Sequence, residues 1–271
     1  MTSNEPRASV SLPAVLQALD LLRIEPAGAV LHVRLNRPSK RNAISDALVT
    51  QIHTTFINLP EETRAVVLSG EGDHFCAGLD LAEVSERSVA EGIVHSRSWH
   101  AAFEQIQFGR VPVVAVLHGA VVGGGLELAA SCHVRVAEAS AFYGLPEGQR
   151  GLFVGGGGSA RIPRLIGTAR MTDMMLTGRV YDAQEGFAIG VSQYVVEAGQ
   201  GLAKAFALAE RIAANAPISV RRMKETAVKG LELPLWQALR LDVGPNPYLS
   251  EDRKEGIAAY LEKRPPRWSG R

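Results

Sequence analysis

Short runs of apolar residues that end in glycine constrain the fold of this chain more than any other feature. RAVVLSG covers residues 64–70 and VPVVAVLHG covers residues 111–119, and neither run alternates with polar residues. A run that is apolar on both sides predicts a strand covered on both faces, as in parallel sheets. Each run is followed by a glycine-containing loop and then by a segment of helical character. This order predicts an α/β fold with a parallel or mixed sheet.

Further segments fit the same pattern. AVLHVRLN at residues 29–36 and HVRVAE at residues 133–138 are predicted strands, because they are short and rich in β-branched residues. Ser45 is a candidate N-cap for a helix that runs to about Asn58, and another helix is predicted over residues 124–131. We therefore expect strands and helices to alternate along the first half of the chain.

The chain divides into three predicted regions. Residues 1–20 form an N-terminal arm, for which the sequence is compatible with an irregular segment or a short helix. Residues 21–200 form the core, and residues 201–271 form a helical region. From about residue 155 the sequence becomes largely helical in character. The last third of the chain could therefore pack on the core or on a partner subunit.

Composition argues against several classes of protein. The formal net charge is +1 over 271 residues, so no global field would recruit nucleic acid or an anionic membrane. The two cysteines, Cys76 and Cys132, are too few for a disulfide framework and fit a reducing compartment. The N-terminus does not resemble a signal peptide, and no segment approaches the roughly 18 to 20 apolar residues of a membrane span. We therefore predict a cytoplasmic protein with neither nucleic acid nor membrane as a partner.

Two glycine clusters raise the question of phosphate binding. AVVGGGLELAA covers residues 120–130 and VGGGGSA covers residues 154–160. Neither cluster is followed by the lysine of a Walker loop. Gly155, Gly157 and Ala160 match only the relaxed dinucleotide fingerprint, without a clean preceding strand or a following ribose-binding acid. The sequence therefore does not favour a nucleotide site at either cluster.

The first cluster has the arrangement of a backbone donor and an acid. Gly124 falls in the first turn of the predicted helix, where N–H groups lack internal acceptors and negative charge is favoured. A glycine also lets a ligand oxygen approach without a Cβ in the way. Glu127 follows three residues later and would lean back over the same face. The alternative is a close helix–strand contact beside a solvated Glu127.

Two further loops could complete such a site. In HFCAGLD the Ala77 N–H would be a second donor to an oxyanion. Alternatively, this loop is a plain strand-to-helix turn with Asp80 as a helix cap. In YGLPEGQRG, Pro146 excludes a regular strand, and Glu147 lies in a glycine-flanked loop of the kind that often carries catalytic groups. A solvated loop acid is the alternative for Glu147.

Six segments of the chain occur in the order of a known family. They are LNRPSKRNAIS, HFCAGLD, VVGGGLELAASCHVRVAE, FYGLPEGQRGLFVGGGGSARIPRLIG, LTGRVYDAQEGFAIGVSQYVV and SEDRKEGIAAYLEKR. Together they resemble the enoyl-CoA hydratase/isomerase (crotonase) family over about residues 25–268. The resemblance implies a crotonase-like spiral of ββα units followed by a helical C-terminal trimerisation region. It also implies a homotrimer or a dimer of trimers.

The same resemblance implies an acyl-CoA site. It assigns Ala77 and Gly124 as the two backbone donors that hold a thioester enolate, and Glu127 and Glu147 as the acid/base pair. The residues that it places against the CoA thioester are Lys40, Arg41, Ala77, Asp80 and Lys263. Of these, Lys40 and Arg41 are candidate contacts to the CoA phosphates, and Lys263 matches a lysine that the family can bring to the nucleotide. For the charged members of this set, a solvated surface position is the alternative. Coenzyme A is part of the substrate, and no separate cofactor or metal is implied.

The presence of both glutamates favours hydration. An enoyl-CoA hydratase would add water syn across the C2=C3 bond of a trans-2-enoyl-CoA to give a 3-hydroxyacyl-CoA. Isomerases of the family commonly keep only the acid that matches Glu147, and hydratase-lyases of the hydroxycinnamoyl type lack the one that matches Glu127. The alternatives are isomerisation, hydratase-lyase cleavage or thioester hydrolysis through the same enolate, or a non-catalytic acyl-CoA-binding protein.

Two places depart from the commoner family sequence. His133 stands where many members carry an acid, and its position at the start of a predicted strand favours a structural role. The sequence EGQRGLFVGGGG is unusual, so Gln149, Arg150 and Phe153 could reshape the acyl pocket. Cys76 has no evident base partner in the sequence, and we predict that it is a packing residue.

Overall fold

The computed structural model describes residues 11–83 and 88–271. Its strands are β1 (Leu22–Ala27), β2 (Val30–Leu35), β3 (Ala65–Gly70), β4 (Val113–Leu117), β5 (Ala120–Val122), β6 (Val134–Glu138), β7 (Phe142–Gly144), β8 (Tyr181–Asp182) and β9 (Tyr194–Val196). Its helices are α1 (Ala14–Gln17), α2 (Asp46–Ile57), α3 (Val89–Gln107), α4 (Gly124–Ser131), α5 (Gly158–Ile166), α6 (Thr168–Thr177), α7 (Ala183–Ile189), α8 (Gly201–Ala213), α9 (Pro217–Gly230), α10 (Leu235–Ala238) and α11 (Glu251–Leu261). Short 3₁₀ turns cover Pro38–Lys40, Leu81–Glu83, Glu147–Arg150 and Pro247–Leu249.

Two sheets organise the described part of the chain. The larger has the strand order β1-β2-β3-β4-β6-β9. Its β1–β2 pair is antiparallel and its other pairs are parallel. The smaller has the order β5-β7-β8, with β5–β7 parallel and β7–β8 antiparallel. This mixed arrangement, with helices between strands, confirms the predicted α/β fold.

The order of one strand in the larger sheet, one strand in the smaller sheet and then a helix occurs twice in succession along the chain. β4 lies in the larger sheet and β5 in the smaller one before α4 begins, and β6 and β7 do the same before α5. The β4–β6 and β5–β7 pairs are both parallel, so each unit lies beside the one before it. These are the ββα units that the resemblance implied.

Both faces of the larger sheet are covered. Leu31 and Leu68 project to one face, where they join side chains of α2 and α3 in the main core. Val67 projects to the other face, where Ala205 and Ala209 of α8 pack against it and its neighbours. Alternate residues of one strand thus enter two different apolar clusters, which explains why these strands read as continuous apolar runs.

The predicted elements of the first half are present, with some ends shifted. The strands predicted at 29–36, 64–70, 111–119 and 133–138 correspond to β2, β3, β4 and β6. The third of these is shorter than predicted, because Pro112 precedes it and Gly119, at φ +52°, turns the chain after it. Ser45 caps α2 as predicted, since its Oγ accepts the Leu48 N–H at 3.1 Å.

The second half departs more from the prediction. β8 and β9 lie in sequence that was expected to be largely helical, and each is held by pairing to a strand distant in the chain. Within the predicted N-terminal arm, residues 1–10 lie outside the described ranges, while α1 forms a single turn with Leu16 buried. None of the helices in the described ranges has the length and apolar character needed to cross a bilayer.

Candidate active site

The start of α4 lies beside the smaller sheet. Gly123 has φ +54° and its N–H donates to the Gly144 carbonyl at 2.9 Å, which fixes the turn from β5 into the helix. The N–H of Gly124 has no acceptor among the described residues. A Cβ on Gly124 would lie 2.9 Å from Cζ3 of Trp99, so glycine is required for this close approach. Gly124 therefore offers a free backbone donor, as the sequence predicted.

The second donor is not the predicted one. The Ala77 N–H donates to the Arg41 carbonyl at 3.0 Å, so it is already occupied. Two residues later, the Leu79 N–H has no acceptor in the described part of the chain. The groups on either side of it are bonded to Ile44: the Gly78 carbonyl accepts the Ile44 N–H, and the Asp80 N–H donates to the Ile44 carbonyl. We therefore correct the assignment of the second donor from Ala77 to Leu79.

Leu79 and Gly124 lie on the same wall. A Cβ built on Gly78, the residue before Leu79, would sit 3.4 Å from the Gly124 nitrogen and 2.8 Å from the Val122 carbonyl. The Gly78 backbone, at φ +94°, can approach this closely only because it lacks a side chain. The contact brings the two free N–H groups to one place, as an oxyanion site requires.

Glu127 is enclosed by the protein, with 3% of its surface exposed. Its Oε1 accepts the Gly158 N–H at 2.8 Å. Burial raises the pKa of Glu127 to about 7; hydrogen bonds from Gly158 and Gly156 oppose the rise, and the charge of Glu147 adds to it. The solvated alternative is therefore wrong for Glu127. A carboxyl group with this pKa can both accept and release a proton near neutral pH.

Glu147 faces the same space from the 3₁₀ turn that follows Pro146. Its Oε1 lies against Gly123, where a Cβ would be only 2.6 Å away. Its Oε2 is buried and has no hydrogen-bond partner among the described residues. Burial also raises the pKa of Glu147. The charge of Glu147 adds to the raised pKa of Glu127, so ionisation of Glu147 disfavours ionisation of Glu127.

These groups line one cavity of about 240 Å³. The lining residues are Ala77, Gly78, Leu79, Leu81, His95, Ser96, Trp99, Gly123, Gly124, Glu127, Glu147, Arg150, Leu152, Phe153, Gly155 and Gly156. Arg150 and Phe153 are thus at the cavity, and Phe153 is 74% exposed. Gln149 is not, because its side chain packs on Gly178 instead.

The charged residues predicted to contact CoA lie outside this lining. Asp80 is buried, and its carboxylate pairs with the Arg37 guanidinium at 2.9 Å. Burial acts to raise the pKa of Asp80, but hydrogen bonds from Arg37 and the Ala82 N–H outweigh it and leave the pKa lowered. This ion pair fixes the loop that carries Leu79 rather than presenting a free carboxylate.

Lys40, Arg41 and Lys263 are exposed. Lys40 ends the 3₁₀ turn at Pro38–Lys40, and Arg41 follows it at φ +51°, with its carbonyl bonded to Ala77. Lys263 lies beyond the end of α11, at φ +56°. Contacts from these three cations to the CoA phosphates remain a prediction.

The residues predicted to be structural are buried and bonded. The Nδ1 atom of His133 accepts the Val113 N–H at 3.0 Å, so its Nε2 carries the hydrogen donated to the Gln107 carbonyl. Burial lowers the pKa of His133 to about 3 and raises that of Cys76 to about 12. Neither group is available for acid/base or nucleophilic chemistry at neutral pH. In the described ranges, no three His, Cys, Asp or Glu side chains converge as metal ligands would.

Sequence reasoning missed Trp99, His95 and Ser96, which α3 brings to the cavity. No motif marks them, and only the helical spacing of residues 95, 96 and 99 could have placed them on one face. The second glycine cluster matches a nucleotide loop only in the relaxed form of the fingerprint. It instead forms the wall that contacts Glu127.

Comparisons with known proteins show which family the chain resembles. A model of the enoyl-CoA hydratase/isomerase family matches residues 25–271. The mitochondrial enoyl-CoA hydratase domain-containing protein 2 of Homo sapiens is 35% identical over 255 residues, covering 91% of this chain and 87% of that protein. A solved structure from Rhodopseudomonas palustris CGA009 is 49% identical, with a TM-score of 0.84 and coverage of 90% of this chain and 95% of that one. The enoyl-CoA hydratase structure from Bacillus anthracis is 34% identical, with a TM-score of 0.86 and coverage of 93% and 100%.

Proposed function

Since the chain belongs to the enoyl-CoA hydratase/isomerase family and shares the crotonase fold, we propose that it adds water across the C2=C3 bond of a trans-2-enoyl-CoA. The product would be a 3-hydroxyacyl-CoA. The observation that carries the proposal is the pair of carboxyl groups, Glu127 and Glu147, on one cavity beside two backbone donors that have no acceptor among residues 11–83 and 88–271. Hydration takes one proton from water and gives one proton to C2, and two carboxyl groups on one cavity can divide these two transfers.

The first task of the site is to stabilise an enolate. The thioester carbonyl oxygen would accept the N–H groups of Leu79 and Gly124, which withdraws electron density from C3. Preorganised donors of this kind stabilise the charge that develops on the oxygen, and each is typically worth 10²- to 10³-fold in rate. The N-terminus of α4 adds its dipole at the same oxygen.

The second task is to deliver water and protons. In our proposal Glu127 accepts a proton from a water molecule as its oxygen bonds to C3. Glu147 gives a proton to C2 as the enolate collapses. One proton then returns from Glu127 to Glu147, and the net change is the addition of one water. Coenzyme A enters and leaves as part of the substrate, and each of these proton transfers uses the two carboxyl groups alone.

Loss of the enone absorbance of crotonyl-CoA tests this proposal. We expect the parent protein to consume the absorbance and form 3-hydroxybutyryl-CoA. Glu127→Gln and Glu147→Gln should each lower kcat by at least about 10²-fold, because each removes one proton carrier. Glu210→Gln, at an exposed position on α8, is the matched control and should leave the rate unchanged.

Isomerisation through the same enolate is the second candidate. The Oε2 atom of Glu147, which has no hydrogen-bond partner in the described part of the chain, could move a proton between C2 and C4 without a second acid. Retention of 3-enoyl-CoA isomerisation by Glu127→Gln, with no hydration by the parent, would favour this candidate over hydration.

A further inference from the structure

The loop Gly155–Gly158, here called the glycine loop, lies between α3 and the buried Glu127. Its first carbonyl, that of Gly155, accepts two side-chain donors. Ser96 Oγ and His100 Nε2 each lie 2.9 Å from it. Both donors come from α3, four residues apart and therefore on one helical face. Because a carbonyl only accepts, His100 must carry its hydrogen on Nε2.

The other end of the glycine loop holds Glu127. The Gly158 N–H donates to Oε1 of Glu127 at 2.8 Å, and a hydrogen bond from the Gly156 backbone acts to lower the pKa of the same carboxyl. A Cβ on Gly156 would lie 2.9 Å from Oε2 of Glu127, and one on Gly158 would lie 2.6 Å from its Cγ. The loop is thus in van der Waals contact with the carboxylate, so a shift of the loop would shift the acid.

A third donor acts on the same loop. Arg161 Nη1 donates to the Gly156 carbonyl at 3.1 Å, while its Nε donates to Gln107 Oε1 at 2.7 Å. Gln107 is the last residue of α3. The carbonyls of Gly155 and Gly156 are therefore both held to α3, the first directly and the second through Arg161. The loop and this helix are distant in the sequence.

We propose that Ser96 and His100 are positioning residues for Glu127. By holding the Gly155 carbonyl, they fix the glycine loop so that its two amides face the Glu127 carboxylate. The amides stabilise the ionised form of this acid and set its place beside the cavity. Neither side chain needs to touch the reacting atoms for this effect. The kinetic test rests on the proposed hydration. The titration of Glu127, which tests its position directly, does not.

The direct test is a titration of the Glu127 carboxyl by NMR on protein labelled with ¹³C at glutamate side-chain carboxyls. Glu127→Gln identifies the signal by its absence. In the parent we expect a midpoint of about 7. In the double variant Ser96→Ala/His100→Leu the midpoint should rise by about one unit, because the amides no longer face the ionised carboxylate. This readout needs no substrate and no turnover.

The kinetic test compares kcat with KM for crotonyl-CoA. We expect the double variant to lose about 10²-fold in kcat, since displacements of about 1 Å in a catalytic group have effects of this size. KM should stay within about twofold, because the backbone donors for the thioester are untouched. The single variants should each lose about tenfold, since one donor to the Gly155 carbonyl remains.

Conservative variants separate position from general damage. Ser96→Thr and His100→Gln keep a donor at each place and should restore most of kcat and the parent titration midpoint. Ser98→Ala is the matched control on the same helix. Its Oγ donates to the His95 carbonyl and not to the glycine loop, so both readouts should be unchanged. If the double variant does not fold, the single variants and their conservative partners carry the test.

Unchanged Glu127 midpoints in well-folded Ser96→Ala and His100→Leu proteins would overturn the proposal, whatever the activity. A shifted midpoint in a protein whose parent hydrates no enoyl-CoA would support the positioning role and contradict the proposed function. The two ideas can therefore fail separately.

Discussion

At the scale of single residues, the raised pKa of Glu127 follows from the position of this residue in the fold. The residue lies in the first turn of a wholly buried helix, so its carboxyl loses nearly all contact with water. Desolvation penalises the charged form, and two backbone amides recover only part of that cost. A group whose pKa stays near 7 under these conditions is suited to proton transfer, and it also weakens the fold when it ionises.

The weakening of the fold gives a first prediction. The pKa of Glu127 is about 7 in the folded protein against 4.5 for an unperturbed glutamate. Because the raised pKa lies in the folded state, the folded protein binds more protons, and the free energy of unfolding falls as the pH rises from about 4.5 through about 7. Glu127→Gln removes this loss. It should therefore gain stability over the parent as the pH rises, reaching on the order of 3 kcal/mol above pH 8.

Urea unfolding of both proteins at several pH values checks this prediction. Glu210→Gln, at an exposed site, should follow the parent at every pH. Parallel stability curves for the parent and Glu127→Gln would contradict the account of a buried, shifted acid.

The residues of the site divide into those that a local pattern can place and those that it cannot. Gly124 and Glu127 were predicted together because a helix fixes their relation over one turn. Ala77 was assigned wrongly because its N–H is taken by Arg41, a residue distant in sequence. No local pattern indicates which of two alternating N–H groups, Ala77 or Leu79, has a partner across the chain.

At the scale of elements, the N-terminus of α4 is packed against α3 through glycine. Trp99 of α3 lies over Gly124, and its Cε3 would be 3.0 Å from a Cβ on Gly156. The indole therefore fills the space between the two glycine clusters. This packing explains why both clusters need glycine although neither binds a phosphate in our proposal.

Two glycine-to-alanine changes test this packing. Gly124→Ala would push its methyl group into Trp99 and move a backbone donor, so we expect a loss of at least about tenfold in kcat. Gly92→Ala lies within α3, where a Cβ would meet no atom of residues 11–83 or 88–271 within 4 Å. It should keep full activity and gain about 0.5–1 kcal/mol of stability, because alanine is the better helix former. Full activity of Gly124→Ala would contradict the claim that close packing on Trp99 fixes the position of this N–H.

The strands differ in how well their own sequence predicts them. β3 and β4 were predictable, since burial on both faces makes their whole length apolar. β5, β7 and β8 have only two or three residues each, which is too short for any period to be visible. They exist because the smaller sheet pairs them, and the repeated ββα units became visible only from that pairing.

At the scale of the whole molecule, the helical region leaves large apolar side chains in contact with solvent. Examples are Leu235, Trp236, Leu239, Leu249 and Tyr260, each more than half exposed. An isolated apolar side chain at the surface needs no explanation, but several from one region are typical of a surface that pairs with another chain. This agrees with the trimer or dimer of trimers that the sequence resemblance implied, which remains a prediction.

Sedimentation equilibrium across a range of protein concentrations measures the assembly. We expect a mass of three or six chains at the concentrations used for the kinetic assays. A monomer at all concentrations would show that these side chains are covered in another way, and that the candidate site is complete within one chain.

In the proposed reaction, this site places the oxygen of water on C3 of an enoyl thioester. The most direct measurement is mass spectrometry of the product formed from crotonyl-CoA in H₂¹⁸O. The proposed hydration predicts 3-hydroxybutyryl-CoA with one ¹⁸O in its hydroxyl group, formed at least about 10²-fold more slowly by Glu127→Gln. An unlabelled positional isomer, or ¹⁸O recovered in a free carboxylic acid with release of CoA, would contradict it.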